Sequence, residues 1–349
     1  MTLLFHVTAG YLEVTRKKAG NVPVPFCATC KNKIFYLDFD NYLSLCKTCW
    51  QRTQDFRIDG RYSVEGFVGR GNFASVFALR DEYFKTPCIV KFLKKGFEAM
   101  GFAEYALIGK IGRASVHSKF EFVRALGQVV VAGNVGFVFE RLAPIDFLPN
   151  ARSRYTLGLL RRMSFHVLCQ LHSLHTTLHS LHADIKPENI MYCRESERFK
   201  LIDFGNSVRT DQLSEYFDSG QIASLLFRAP EVFLSRGFDE KIDIWALGVS
   251  ILQIASLHEQ HPFANAKCTK SLAAEMTRLL GPIPETIYAM DRWLEIGASD
   301  DVEITEKETV HRWRAANMAR LTGFNDHYFI DFVNTLLEYD PRKRPSVKE

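Results

Sequence analysis

Two short stretches bring together residue types that could move a phosphoryl group. His182-Ala183-Asp184-Ile185-Lys186-Pro187-Glu188-Asn189-Ile190 is followed closely by Leu201-Ile202-Asp203-Phe204-Gly205. Between them they offer two aspartates, a lysine and an asparagine in loops bounded by apolar strands. In-line phosphoryl transfer needs such a set: a carboxylate to orient the attacking hydroxyl, oxygen ligands for a divalent cation, and a fixed positive charge beside the moving group. Taken singly, either aspartate would equally serve as a turn or capping carboxylate.

The elements that must position these loops lie on both sides of them. From Tyr62, apolar residues alternate around glycines: Val64, Phe67 and Val68, then Gly69-Arg70-Gly71-Asn72-Phe73-Ala74-Ser75-Val76-Phe77. That is a strand, a tight turn and a second strand, whose glycines let backbone amides approach phosphates. A lone Gly-x-Gly is often only a hairpin turn, so the order of the motifs after it carries the weight. Cys88-Ile89-Val90-Lys91 reads as a short strand ending in a lysine, about twenty residues on. Phe97 to Ile111 has helical spacing, with Glu104 on the face of Ile108 and Ile111 and placed to pair with Lys91.

With these motifs in this order, the stretch from about Tyr62 to Pro345 resembles the eukaryotic protein kinases. Arg228-Ala229-Pro230-Glu231, Asp243-Ile244-Trp245-Ala246-Leu247-Gly248 and Asp340-Pro341-Arg342-Lys343-Arg344-Pro345 continue the resemblance. It implies an α+β chain with the bilobal protein kinase fold: a β-rich small lobe over residues 62–139 and a helical large lobe over residues 143–349. By the same resemblance Asp184 orients the substrate hydroxyl and accepts its proton, and Lys186 offsets charge on the moving group. Asn189 and Asp203 would hold Mg2+. Lys91, steadied by Glu104, would hold the α and β phosphates of ATP, with Gly69, Gly71 and Val76 around the nucleotide. Phe137-Val138-Phe139-Glu140-Arg141-Leu142 resembles a last strand and hinge, Phe139 being the gatekeeper and Glu140 to Leu142 facing adenine. That hinge, with Leu280-Gly281-Pro282-Ile283-Pro284, is similar to the CMGC group, nearest the dual-specificity tyrosine-regulated and cyclin-dependent-kinase-like branches.

Several positions depart from the pattern. Ala74 replaces a loop glycine, and Ile89 stands where alanine usually faces adenine, which narrows the pocket. Ala183 replaces the arginine that receives an activation-loop phosphate in many kinases. Gln221 lies near the usual autophosphorylated tyrosine and Leu225 replaces an arginine, so the loop is expected to work without a phosphate. The chain stops at Glu349, before the last helix of the family, which reads as a truncation or a different cap. The implied reaction is transfer from ATP to Ser or Thr of protein substrates, with Tyr by autophosphorylation. The alternative is a pseudokinase scaffold with weakened ATP binding.

Four cysteines form a second constellation. Cys27 and Cys30, then Cys46 and Cys49, make two Cys-x2-Cys knuckles fifteen residues apart. Such pairs can supply the four sulfurs of a tetrahedral structural Zn2+. Residues 20–56 are therefore read as a small zinc-ribbon-like module before a kinase domain over 62–349. Ile34 to Leu37 reads as extended and Asp38 to Asn41 as a turn. Four reduced cysteines without metal remain the other reading. Lys31, Lys33, Lys47 and Arg52 interleave with Phe35, Tyr36 and Trp50, a pattern open to single-stranded nucleic acid but better accounted for as a solvated face over a small core. His172, His175 and His179 share one helical face, for which packing is favoured over metal binding, and His182 is expected to buttress Asp203 and Phe204.

Composition bounds the rest. The chain has 349 residues, 47% of them hydrophobic, and a net charge of +4 from 44 basic and 40 acidic residues. That is apolar enough to fold rather than stay disordered, and too weakly charged to demand a polyanionic partner. No apolar run reaches the ~18 residues that a membrane span needs, and no secretory signal is evident. The expectation is an intracellular monomer of the cytoplasm or nucleus, with no membrane partner.

If the four cysteines hold zinc, purified protein should carry about one zinc per chain, because so small a module depends on its metal to fold. Cys30→Ser should release the metal and make the first sixty residues protease-sensitive. Protein purified without chelator that contains no zinc would rule the site out.

Overall fold

The computed structural model describes residues 57–71, 73–114, 122–131, 134–145, 157–218, 222–257, 260–296 and 307–349, together with four short strands nearer the start. Those strands form two antiparallel hairpins: β1 (Thr2–Thr8) with β2 (Tyr11–Lys17), and β3 (Phe35–Leu37) with β4 (Leu43–Leu45). The second hairpin places its strands on either side of the expected turn. Cys27, Cys30, Cys46 and Cys49 lie outside the described residues. By contacts the chain divides into two compact units, residues 1–109 with 123–141, and residues 110–122 with 142–349.

The first unit is built on β5 (Arg57–Ile58), β6 (Tyr62–Arg70), β7 (Ala74–Asp81), β8 (Thr86–Leu93), β9 (Ala125–Val131) and β10 (Asn134–Glu140). Helix α1 (Glu98–Ala114) lies between β8 and β9 in sequence. The strands form one antiparallel sheet in the order β5-β6-β7-β8-β10-β9. Successive side chains alternate between sheet faces, and register assigns them. Phe77, Leu79, Cys88, Val90, Phe92 and Val138 join Ile58, Tyr62 and Val129 in one buried cluster. The other face carries Val76, Ile89, Lys91, Phe137 and Phe139, which meet in the pairs Val76 with Lys91, Phe137 with Lys91, and Phe139 with Ile89. Tyr105 of α1 packs on this face, its ring 5.0 Å from Phe137.

The second unit is mostly helical. Short strands β11 (Ala143–Pro144), β13 (Ile190–Cys193) and β14 (Arg198–Leu201) form one small sheet, and β12 (Ser180–Leu181) pairs with β15 (Val208–Arg209). The helices are α2 (Leu157–His172), α3 (Pro230–Leu234), α4 (Lys241–Ala255), α5 (Thr269–Leu280), α6 (Met290–Ile296), α7 (Lys307–Thr322) and α8 (His327–Leu336). Helix α4 is buried nearly all round, from Ile242 to Leu252, and is the centre of this unit. Helix α8 shows why a surface helix forms here. The Asp326 carboxylate caps it by accepting the Phe329 amide at 2.8 Å, and Phe329, Ile330, Val333 and Leu336 bury one stripe. Among the described residues, no helix is long and apolar enough to cross a membrane.

Three of the sequence motifs meet inside this unit. Arg344 donates two hydrogen bonds to the Glu231 carboxylate, at 2.5 and 3.0 Å, and its guanidinium lies 5.1 Å from the Trp245 ring centroid. Both partners of the ion pair are fully buried. Removing one partner strands a charge in the interior, which costs about 3–5 kcal/mol. Arg344→Met should therefore lower the urea midpoint by a corresponding amount, and Glu231→Gln added to it should recover part of the loss. A midpoint within experimental error of wild type would contradict the buried pair.

Candidate active site

The second unit holds the two catalytic-loop stretches singled out in the sequence. The turn His182-Ala183-Asp184 is fixed from below by one carboxylate, Asp243 on α4. Its Oδ2 accepts the His182 amide at 2.8 Å and its Oδ1 accepts the Ala183 amide at 2.9 Å. Ala183 needs this restraint, because its φ of 62° lies in the left-handed region. That conformation costs an ordinary residue roughly 1–2 kcal/mol, whereas a hydrogen bond to a charged group returns about 1.5–3 kcal/mol. Two such bonds outweigh the strain.

His175 completes the Asp243 environment, with Nε2 at 2.9 Å from Oδ2. The even helical face expected for His172, His175 and His179 is not what the chain adopts. A π-helical segment, Ser173–Thr177, follows α2 and is closed by Leu178 N to Ser173 O at 3.3 Å. The wider turn sends His175 into the core. His172 instead meets the Val347 carbonyl, while His179 leaves the helix at a φ of 47°. No cluster of metal-ligating residues occurs among the described residues.

His182 is fully buried, and burial lowers its pKa, so the ring is neutral. Its Nδ1 accepts the Asp184 amide at 3.3 Å, which leaves Nε2 to donate to the Ile202 carbonyl at 3.1 Å. The ring also packs on Phe204 at 4.8 Å. It thus buttresses the neighbourhood of Asp203 and Phe204, as its position in the sequence suggests.

Asp184 is buried and surrounded by donors. Lys186 Nζ reaches Oδ2 at 2.8 Å, the Ser224 hydroxyl donates to Oδ1 at 2.6 Å, and Asn189 Nδ2 lies 3.2 Å from Oδ2 and 2.8 Å from the Asp184 carbonyl. Asn206 Nδ2 stands further off, at 3.4 Å. Burial pushes the Asp184 carboxyl up, but the hydrogen bonds from Lys186 and Ser224 outweigh it and hold it below its ordinary value. The carboxylate is therefore ionised at neutral pH, as a group accepting a proton must be. Asp203 follows β14 in the left-handed region, at a φ of 62°, where aspartate is tolerated better than most residues. The amide nitrogen of Asn189 is used on Asp184, so what Asn189 offers a ligand is its oxygen. An amide oxygen and a carboxylate suit a hard cation such as Mg2+.

Ser224 is a residue that sequence reasoning did not assign to the site: its hydroxyl is bonded to Asp184 and lies 3.3 Å from Lys186 Nζ. A phosphate there would set negative charge against Asp184. Nothing in its spacing from Asp184 could have revealed the contact, which closes across forty residues of sequence.

The first unit holds the remaining expected residues. Gly69 and Gly71 sit at the β6–β7 turn, which closes through Gly71 N to Ala74 O at 2.8 Å. Ala74, the unexpected alanine, is buried there. Lys94 ties the turn down, its Nζ at 2.8 Å from the Gly71 carbonyl, and Phe73 packs on Phe97 at 5.0 Å. Val76 is half-buried opposite Lys91. Lys91 and Glu104 form an ion pair, Nζ to Oε2 at 2.8 Å, with side chains 17% and 5% exposed. The carboxylate of Glu140 faces elsewhere: it accepts the Arg124 amide at 2.8 Å and Arg124 Nε at 3.2 Å. Any contact of Glu140 with a nucleotide would have to come from its main chain. Leu142 is half-buried and belongs to the second unit.

Comparison with known proteins gives the family. The family described as Protein kinase domain matches residues 62–349. The chain is 24% identical over 323 residues to dual specificity protein kinase CLK1 of Mus musculus, covering 84% of this chain and 65% of that protein. It is 26% identical over 299 residues to dual specificity tyrosine-phosphorylation-regulated kinase 2 of Drosophila melanogaster, covering 83% and 40%. It is 32% identical over 202 residues to homeodomain-interacting protein kinase 1 of Caenorhabditis elegans, covering 56% and 23%. The chain thus spans less than two thirds of the length of these relatives.

The donors around Asp184 make a pH-dependent prediction. Ser224→Ala removes one hydrogen bond to a carboxylate, worth about 1.5–3 kcal/mol, so the Asp184 pKa should rise. The acid limb of kcat/KM should then move to higher pH by about one unit or more, while turnover at neutral pH, where the carboxylate stays ionised, should change little through this protonation. A profile that overlays the wild type would show that Ser224 does not act on this carboxylate.

Proposed function

The chain belongs to the protein kinase family, and from that we propose that it transfers the γ-phosphoryl group of ATP to a serine or threonine hydroxyl of protein substrates. The observation that carries the reading is the arrangement of Lys186 and Ser224 on the two oxygens of Asp184. It supplies an ionised base with a cation beside it. The substrate oxygen attacks the γ-phosphorus, the bond from that phosphorus to the β-bridging oxygen breaks, and ADP leaves. The hydroxyl proton passes to Asp184, and Lys186 offsets charge on the transferred group.

Asn189 and Asp203 would hold Mg2+, whose chemistry when bound is to neutralise phosphate charge. In the first unit, the amides around Gly69 and Gly71 and the ammonium of Lys91 would receive the phosphates, with Val76 and Glu140 nearer the base; Leu142, of the second unit, is proposed for the base as well. Ile89 and Phe139 stand opposite one another on the same sheet face as Lys91, which supports a narrow nucleotide pocket. The intact Lys91–Glu104 pair favours an enzyme over a scaffold that binds ATP weakly. The hinge and the insert motif, with the similarity to the CLK, tyrosine-phosphorylation-regulated and homeodomain-interacting kinases, support membership of the CMGC group. The names of two of those relatives support dual specificity, including tyrosine by autophosphorylation. Cys27, Cys30, Cys46 and Cys49 remain a proposed structural zinc site.

The activation segment supports activity without a loop phosphate. Arg228 is turned to its own backbone, Nε to the Ile222 carbonyl at 3.1 Å and Nη2 to the Ala223 carbonyl at 3.0 Å. Ala183 has no charge to offer. A phosphate in the segment would find few cations, and so little preference for one state over another.

Transfer of labelled phosphoryl from Mg-ATP to a serine peptide array tests the reading. Wild type should label peptides, Asp184→Asn should lose ~10²-fold or more in turnover, and Asp203→Asn should also weaken Mg-ATP binding. Phosphatase treatment should leave the rate within about twofold, since charges without strong pairing shift an equilibrium by only tenths of a kcal/mol. Near-wild-type turnover in both aspartate variants would overturn the assignment. A tenfold loss on dephosphorylation would overturn the account of the segment.

A further inference from the structure

The Lys91–Glu104 contact joins a strand to a helix, so it forms only if α1 and the face of β8 stand at one separation. Something must set that distance. One turn before Glu104, and on the same side of the helix, is Gly101, which is itself buried. A Cβ built there would lie 2.7 Å from Leu93 Cγ and Cδ2 and 2.7 Å from Phe137 Cε2. Carbon atoms in van der Waals contact stand about 3.5–4.0 Å apart.

Neither neighbour has room to yield. Leu93 and Phe137 are 5% and 1% exposed. Phe137 is held by Phe102, at 5.2 Å edge-on, and by Tyr105, at 5.0 Å, and Tyr105 also reaches Phe139 at 6.4 Å. The atoms that Gly101 approaches belong to the surface that carries Lys91: Phe137 pairs with Lys91 across the ladder, and Leu93 is two residues along the same strand on the same face. A side chain at position 101 would push the helix away from the surface on which Glu104 must find its partner. A shift of several tenths of an ångström takes a 2.8 Å charge-assisted hydrogen bond beyond the roughly 2.7–2.9 Å at which such bonds are strongest.

We propose that Gly101 is a positioning residue for phosphoryl transfer: by lacking a Cβ it lets α1 seat close enough on the sheet for Glu104 to hold Lys91. The residues that Gly101 meets, Leu93 and Phe137, lie in the first unit with Lys91 and Glu104. This rests on the kinase reading of Lys91 and Glu104.

A double-mutant cycle on the full chain tests it, with kcat/KM for Mg-ATP as the readout. Gly101→Ala should lower kcat/KM about tenfold or more. In a Glu104→Gln background, where the carboxylate is already lost, the same change should cost less than about twofold. Equal penalties in the two backgrounds would overturn the proposal, because they are what a general loss of packing produces. So would a Gly101→Ala enzyme with wild-type kinetics. If Gly101→Ala does not fold, a background that makes room, Leu93→Ala with Phe137→Leu, carries the test: there the added methyl should cost less than twofold, and a tenfold loss would overturn the proposal. Wild-type transfer is measured first. Its absence overturns the kinase reading and this inference with it, whereas equal penalties in an active enzyme overturn only the role of Gly101.

Discussion

The buried carboxylate of Asp243 is the constraint on which the candidate active site depends. It accepts the amides of His182 and Ala183 on separate oxygens and meets His175 as well. The two amides belong to the turn that enters Asp184, and one of them belongs to a residue in a strained conformation. Strain of this kind persists only where the surroundings over-determine it. Here the surroundings are helix α4, buried nearly all round and unable to retreat from the loop. The stability of the helical unit and the geometry of its chemistry are therefore one problem, solved at Asp243.

From that fixed turn the rest of the site is built in steps. His182 is kept neutral by burial, and its single ring proton is directed to the Ile202 carbonyl. This links the Asp184 loop to the segment that carries Asp203. Asp184 then gathers Lys186, Asn189 and Ser224, and the bonds from Lys186 and Ser224 oppose the burial that would otherwise favour its protonated form. The first unit solves a parallel problem with another buried carboxylate, Glu104. There a charged pair is set by how closely a helix seats on a sheet, and the decisive feature is an absent side chain.

What could be read from the sequence was whatever chemistry is local. Asp184, Lys186 and Asn189 stand within one loop, and Lys91 and Glu104 sit on a strand and a helix whose periodicity points them at one another. The β6–β7 hairpin was legible for the same reason. What could not be read depends on contacts that close over long stretches of chain. Ser224 meets Asp184 only after the activation segment has folded back, so nothing local marked it as a donor to that carboxylate. The π-helical turn at Ser173–Thr177 was hidden because the histidines fit a regular helix; an additional residue in one turn is invisible to periodicity. That the Glu140 carboxylate bonds to Arg124, sixteen residues earlier, could not be read either. Gly101 left no signal, since the importance of a missing Cβ appears only with the neighbours it would strike.

The most direct measurement is the single-turnover rate of Asp243→Asn with saturating Mg-ATP and a serine peptide. The amide keeps the size of the side chain but replaces one acceptor oxygen with a donor, so one of the two loop amides loses its partner. Loss of a hydrogen bond to a buried charge, about 1.5–3 kcal/mol, should slow phosphoryl transfer roughly 10- to 100-fold while nucleotide affinity stays close to wild type. A variant that remains folded and transfers at the wild-type rate would contradict the claim that this carboxylate sets the catalytic loop.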